Sequence, residues 1–473
     1  MIHQYKLNGY NIVIDVYSGA IHWVDDVAYD IIRLFCEKEK KDLIEGLLCQ
    51  YRGRADVTKE DLEETYEDIE DLRRQGKLFT EDIFRPLARE LTTQSRNIKA
   101  LCLHVAHSCD LTCSYCFAGG GKFHGKSALM TEEVAKRAVD FLLTHSGRHR
   151  TLDIDFFGGE PLLNFSTVKA TVRYAHSLEA KYGKNIRFTL TTNGTHIDRD
   201  VIDFVNKECY NVVLSLDGRK QVHDRERKLR DGRGSYDLIV PKFQELVKAR
   251  GGRDYYIRGT FTHYNPDFLE DIRHMLDLGF RELSMEPVVT EPGSRFALTE
   301  DDYPLLENQY EELAREMIRR ADQGRPFTFY HYMLNLQNGP CIYKRVTGCG
   351  SGTEYLAVTP QGDLYPCHRF VGDKAFRMGD IWTGVEREDL RDAFASCNAY
   401  TRSECDTCWA RLHCSGGCAA NAYYCSGDVR GIYEYGCRLF RKRMECAIMV
   451  QVALADKERQ SGARKEKKPD ADQ

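Results

Sequence analysis

From residue 98 to 291 the chain alternates between two periodicities, and that alternation restricts its fold more than any other feature. The runs "IKALCLHVA", "TLDIDFFGG", "IRFTLTTNG", "NVVLSLDG", "YYIRGTFTH" and "FRELSMEPV" read as strands. Stretches at 131–145, 166–182, 198–209, 236–250 and 267–278 separate them and read as helices. Strands joined through helices build a parallel α/β sheet. Six strands rather than eight predict a partial barrel or a doubly wound sheet. In both, the active site lies beyond the carboxyl ends of the strands. A further helix is expected over 299–324.

The flanks differ from this middle. Residues 2–25 read as three short strands broken at Asn8-Gly9 and Ser18-Gly19, both hairpin signals. Helices are expected at 26–36, 41–52 and 58–75, the last opened by Thr58 and Asp61 as an N-cap pattern. Together they predict a small winged-helix-like domain over 1–80. Residues 81–97 are polar and read as a linker. Beyond residue 325 the chain is rich in Gly and Cys, and such a region needs metal to hold it. The charged stretch 451–473 reads as a disordered tail.

The chain has 473 residues, a net charge of −5 and 18 cysteines. That length exceeds one ordinary domain. The charge gives no case for binding nucleic acid or an acidic membrane. The N-terminus lacks the basic stretch and apolar run of a signal peptide, and no segment has the ~20 apolar residues of a membrane span. The chain therefore reads as soluble and cytoplasmic, where cysteines serve metal or redox chemistry rather than disulfides. Three of them, Cys109, Cys113 and Cys116, stand in "CDLTCSYC" just after the first strand. Eleven more lie between Cys341 and Cys446.

A cubane [4Fe–4S] cluster has four irons, so three thiolates leave one iron open to a small molecule. A structural zinc site would want four ligands. The CxxxCxxC spacing followed by Phe117 resembles the radical S-adenosylmethionine (SAM) superfamily. The resemblance implies that the open iron chelates SAM and that SAM is cleaved to a 5′-deoxyadenosyl radical. "DFFGGEP" at the end of the second strand is similar to the superfamily's GGE motif. Gly158, Gly159 and Glu160 would accordingly contact the SAM amino group. Glycine permits close backbone approach to a ligand, and a carboxylate accepts from an ammonium group. Asn193, Ser215 and Asp217 end later strands whose polar tips bind the SAM ribose and carboxylate in that superfamily. Arg258 offers a guanidinium that matches a carboxylate.

The C-terminal third resembles the seven-cysteine SPASM pattern, which follows radical SAM barrels in peptide- and protein-modifying enzymes. The resemblance implies two auxiliary [4Fe–4S] clusters, hence three in all. Cys405, Cys408, Cys414 and Cys437 would hold one, and Cys349, Cys367 and Cys418 would give three ligands of the other. Cys341 either completes that set or leaves an iron open for a substrate thiolate. Read alone, the same cysteines also fit two zinc sites in a non-catalytic binding protein.

The first 80 residues resemble the peptide-recognition domain of peptide-maturing enzymes, where a leader peptide adds as a strand to a sheet edge. The whole layout resembles the maturases of SCIFF (six cysteines in forty-five residues) peptides. It implies a partial (β/α)6 radical SAM barrel over 98–325, a SPASM domain over 326–450 and thioether crosslinking of a Cys-rich precursor peptide. A ferredoxin or flavodoxin would be the electron donor. Anaerobic sulfatase maturases share the barrel and the SPASM pattern and oxidise Cys or Ser to formylglycine. They place an acidic residue after the second SPASM cysteine, where this chain has His368 and Arg369.

Overall fold

The computed structural model describes residues 1–473 except 95, 292, 335, 337–340 and 467–473. Strands β1 (Ile2–Leu7), β2 (Tyr10–Asp15) and β3 (Ile21–Val24) form an antiparallel meander. Asn8 and Gly9 both take positive φ (50° and 82°) in the first turn, the geometry a two-residue hairpin needs. Helices α1 (Asp26–Leu34), α2 (Lys40–Gln50) and α3 (Lys59–Arg74) follow. They share a separate core with the sheet, built from Val13, Ile31, Leu43 and Leu62. Thr58 and Asp61 form a reciprocal capping box on α3.

Residues 81–97, expected as a linker, contain a helix, α4 (Phe84–Gln94). Its polar composition hides the buried Ala88, and the segment is pinned from outside. Arg85 pairs with Asp406 at 2.8 Å, and the Tyr400 hydroxyl donates to Asp82 at 2.9 Å.

The middle of the chain runs β4 (Ala100–His107), β5 (Ala128–Leu129), α5 (Glu132–His145), β6 (Thr151–Gly158), α6 (Phe165–Tyr182), β7 (Asn185–Thr192), α7 (Arg199–Glu208) and β8 (Asn211–Ser215). It continues through α8 (Lys220–Glu226), α9 (Tyr236–Ala249), β9 (Tyr255–Phe261), α10 (Phe268–Asp277), β10 (Glu282–Pro287) and α11 (Tyr303–Asp322). In the sheet the order is β10-β9-β8-β7-β6-β4, all parallel. Sequential strands are spatial neighbours throughout, so the order never reverses as it does in a doubly wound sheet. Of the two sequence alternatives this is the singly wound, partial-barrel order. Alternate side chains of β6 and β7, such as Leu152, Ile154, Phe188 and Leu190, are buried in the main core.

Both edges of the six strands are covered. β11 (Thr328–Phe329) adds parallel to β10. α12 (Ile342–Thr347) follows, and β12 (Tyr355–Val358) adds parallel to β4. β13 (Asp363–Tyr365), β14 (Gly379–Asp380) and β15 (Gly384–Val385) extend the sheet antiparallel. The rest is α13 (Glu388–Ala395), two short helices, α14 (Arg411–Cys414) and α15 (Ala419–Ser426), and the long α16 (Glu434–Glu466). Disorder was expected from 451, but α16 continues to Glu466. Cys446 to Val450 and Ala453 are fully buried, so the apolar stripe carries the helix past that boundary. The remainder of the expected tail lies outside the described residues. Among the described residues no helix is long and apolar enough to cross a membrane.

Candidate active site

The site is built where β4 and β6 end. Their ladder carries an irregularity between His104 and Ala106, then continues past both strands. Gly159 N donates to Ala106 O at 2.8 Å and Glu160 N to Ser108 O at 2.9 Å. The "GGE" turn is thus bonded to the residues that lead into Cys109. A Cβ on Gly158 would stand 2.3 Å from Ala106 O, and one on Gly159 would stand 2.2 Å from Ser108 O. Gly121, at φ +84°, is as tightly placed, with its Cβ position 2.7 Å from the Gly159 Cα. The sequence assigned Gly158 and Gly159 to ligand approach. Their crowding in the structure is by backbone, and it seats the cysteine loop against the strand ends.

Glu160 also departs from its expected use. It is fully buried, and Leu162 N (3.0 Å), Thr192 Oγ1 (2.8 Å) and Asn193 N (2.7 Å) all donate to its carboxylate. Burial pushes its pKa up to about 7 against these hydrogen bonds. The side chain ties β6 to the end of β7, which leaves the main chain of the turn as what the motif presents.

The three thiols sit together in the loop after β4. Burial raises Cys109 to about 12, with a further contribution from the neighbouring Cys113 thiol. Burial raises Cys113 to about 11; the Arg227 charge opposes this and the Cys116 thiol adds to it. Such thiols ionise only with a cation beside them. Among the described residues no three His, Cys, Asp or Glu side chains converge on a point as ligands of a single ion. A cubane instead takes its thiolates one to an iron corner. Sulfur-directed donors are already in place: Leu111 N lies 3.4 Å and Asn193 Nδ2 3.6 Å from the Cys109 Sγ. The donor set therefore fits an iron–sulfur cluster.

Of the other expected site residues, Asn193 reaches the loop: it also bonds Asp110 at 2.9 Å and is fixed from behind by Thr195. Ser215 and Arg258 are cross-strand partners on β8 and β9, and Ser284 of β10 pairs with Arg258 on the other side. The Arg258 side chain is exposed, and its charge helps hold the Glu286 carboxyl below its ordinary value. Phe117 is 38% exposed, beneath the Arg369 guanidinium at 4.8 Å and 5.7 Å from the His368 ring. Asp217 is not available as a ligand group. It is 1% exposed and receives Arg227 in bidentate fashion (2.8 and 3.1 Å), Tyr115 OH (2.5 Å) and Thr260 N (2.9 Å).

Arg227 belongs to a strap that the sequence reading missed, residues 226–234. Ser114 N donates to Glu226 O at 3.1 Å, Thr112 N donates to Lys228 O at 2.8 Å, and Leu111 bridges Leu229. Arg230 Nε donates to Cys109 O at 3.1 Å. The signal in the sequence was the density of basic residues in "RERKLRDGR", which begins in the last turn of α8.

The C-terminal cysteines gather into two groups. Burial raises Cys414 to about 12 and Cys437 to about 11, each pushed further by the thiols of Cys405 and Cys408. Burial likewise raises Cys367 to about 12, with contributions from Cys418 and Cys349. Cys341 is exposed just before α12. Cys349 lines a cavity with Tyr343, Thr347, Phe394, Gly417 and Ala419. Cys367 shares one apolar cluster with Cys116, Phe157, Phe123 and Phe370, so the second group lies against the barrel mouth.

Residues 103–278 match the Radical SAM superfamily. The chain is 23% identical over 373 residues to the radical SAM cyclopropyl synthase TigE of Paramaledivibacter caminithermalis, covering 73% of this chain and 72% of that one. It is 26% identical over 339 residues to the cysteine-type anaerobic sulfatase-maturating enzyme of Clostridium perfringens, covering 66% and 86%. The fold is similar to native anSMEcpe with bound AdoMet and Kp18Cys peptide (TM-score 0.62, 22% identity, 75% of this chain and 99% of that one). It is also similar to Streptococcus suis SuiB bound to precursor peptide SuiA (TM-score 0.50, 16% identity, 89% and 95%).

Proposed function

We propose that this chain is a radical SAM maturase that joins a cysteine sulfur to a carbon of another residue in a Cys-rich precursor peptide. A [4Fe–4S] cluster on Cys109, Cys113 and Cys116 would supply the electron that cleaves SAM to a hydrogen-abstracting 5′-deoxyadenosyl radical. The chain's own residues bind and orient around it. Arg258 and Ser215 take the SAM carboxylate, Asn193 braces Cys109, Phe117 walls the mouth, and the Gly158–Glu160 turn offers main-chain atoms to the SAM amino group. Cys405, Cys408, Cys414 and Cys437 would hold a second cluster, and Cys349, Cys367 and Cys418 a third.

One observation carries the reading: three thiols, Cys349, Cys367 and Cys418, group beside the barrel mouth, next to the apolar cluster that contains Cys116. A three-thiol set leaves room for a fourth sulfur from a peptide, and Cys349 opens on a cavity. For the peptide itself, β3 is a free sheet edge carrying Trp23 at 48% exposure, a surface suited to strand addition by a leader over residues 1–80.

Oxidation of Cys or Ser to formylglycine is favoured by the kinship with sulfatase-maturating enzymes. Against it stands His368, which follows Cys367 where those enzymes have an acid; burial lowers its pKa to about 3, so it is a neutral ring. The test is anaerobic incubation with SAM, reductant and a Cys-rich precursor peptide. Loss of two hydrogens with a thiol no longer alkylatable is expected. An aldehyde product, or a mass change with every thiol still free, would overturn the crosslinking reading.

A further inference from the structure

The strap over the cysteine loop has an outer face that the site does not use. Arg225 and Arg233 keep 40% and 78% of their side-chain surface, and Lys228 and Arg230 are exposed between them. The acids among them are few. Glu226 is buried against Arg225, and Asp231 pairs with Arg233. Arg230 spends its guanidinium on the uncharged Cys109 carbonyl, and Lys228 pairs with no described carboxylate. Two positive charges, one on each side of Leu229, are therefore uncompensated in a chain whose net charge is −5. This local reversal of sign stands over Cys109–Cys116. The Lys228 carbonyl is bonded to Thr112 N, within that loop, so only one layer of backbone separates the two.

We infer that this strap face is the docking surface for an acidic, low-potential one-electron carrier protein that reduces the Cys109–Cys116 site. The inference rests on the radical SAM reading given above. The carrier loses one electron and the site gains one, with no other reactant. A cysteine loop served from outside needs a partner held close and oriented. Opposite charge at the contact supplies both, chiefly through the association rate. Nucleic acid, the other polyanion such a patch would attract, has no use for proximity to the cysteines.

The experiment uses the full chain with iron and sulfide loaded, the double variant Lys228→Glu/Arg233→Glu, and flavodoxin as the probe. Neither substituted side chain touches the cysteines. Release of 5′-deoxyadenosine driven by dithionite should be equal in parent and variant. The rate driven by fully reduced flavodoxin should fall about tenfold in the variant at low salt, as for charge reversal at a steered contact. The gap should close near ~0.5 M salt, where surface charges are screened. Binding of oxidised flavodoxin, followed by titration, should weaken in parallel. Equal flavodoxin-driven rates, a variant that loses only precursor-peptide binding, or a variant that loses the dithionite reaction would each overturn the docking surface. Absence of dithionite-driven release in the parent would instead overturn the radical SAM reading.

Discussion

The loop of Cys109, Cys113 and Cys116 and the loop of Cys405, Cys408 and Cys414 both hold cysteines at short spacing, yet different forces hold each in place. The first lies on a parallel sheet. Main-chain bonds from Thr112 and Ser114, the crowded glycines Gly121 and Gly159, and the buried Asp217–Arg227 pair fix its path. The second is carried by the four-residue α14 and by one fully buried side chain, Arg411. Arg411 stacks on Tyr400 at 4.1 Å and donates to Ala399 O at 3.0 Å. A barrel can preorganise a ligand set before any cluster arrives. A cysteine-rich region of short elements gains its order with the cluster, because binding free energy there is folding free energy.

Substituting cysteines separates the two regions most sharply. Cys109, Cys113 and Cys116 all changed to Ala should abolish 5′-deoxyadenosine release and leave the far-ultraviolet circular dichroism and proteolytic pattern unchanged. Cys405→Ser with Cys408→Ser should instead open 397–437 to trypsin. Intact 397–437 in the second variant would refute the difference in what holds the loops.

The buried ion pair comes next. Asp217→Ala leaves the Arg227 guanidinium without its partner, and breaking such a pair is worth about 3–5 kcal/mol. Thermal unfolding should shift accordingly, and iron bound at the first loop should fall. An unchanged midpoint would mean that the strap is incidental to the loop.

Gly159→Ala acts on the same loop with a smaller effect. Its Cβ would meet Ser108 O at 2.2 Å, and backbone cannot step aside as a flexible side chain does. A loss of about 3 kcal/mol, the upper end for overpacking, is expected in denaturant unfolding. Gly183→Ala, at a helix end with φ +63° and open space around it, is the contrast: it carries left-handed backbone cost without a clash, whereas Gly159→Ala carries a clash without that cost.

What could be read from the chain divides along the same line. The six barrel strands, their helices and the Asn8-Gly9 turn were legible because period and turn chemistry are local. The thiol groupings were implied by the SPASM resemblance and not by any local period. The structure gathers Cys405, Cys408, Cys414 and Cys437, and separately Cys349, Cys367 and Cys418. Three things were not legible. α4 is helical in a polar segment because Asp406 and Tyr400, more than 300 residues away, hold it. The role of Gly158 and Gly159 depends on which atoms stand opposite, and that is a tertiary fact. Glu160 reads as a ligand group until its three donors, two of them at the end of β7, are seen.

The smallest effect tests how closed the barrel interior is. Asp155 lies on β6 beside Cys102 of β4, and burial raises its pKa to about 6, with Asp153 adding to the shift and Thr189 opposing it. In the unfolded chain the same carboxyl ionises near its ordinary value of 3.8. Between those two values the unfolded chain has lost its proton and the folded one keeps it, so stability falls as pH rises from about 4 to about 6 and is level above that. Asp155→Asn removes the ionisation. The variant should match the parent at the acid end and be more stable near neutrality, by on the order of 1–2 kcal/mol because the carboxyl retains some solvent contact. Thermal melts of both proteins across this range measure the difference. A difference that stays flat with pH would mean that water reaches Asp155 freely, and that the barrel interior is as open as the cysteine-rich region beside it.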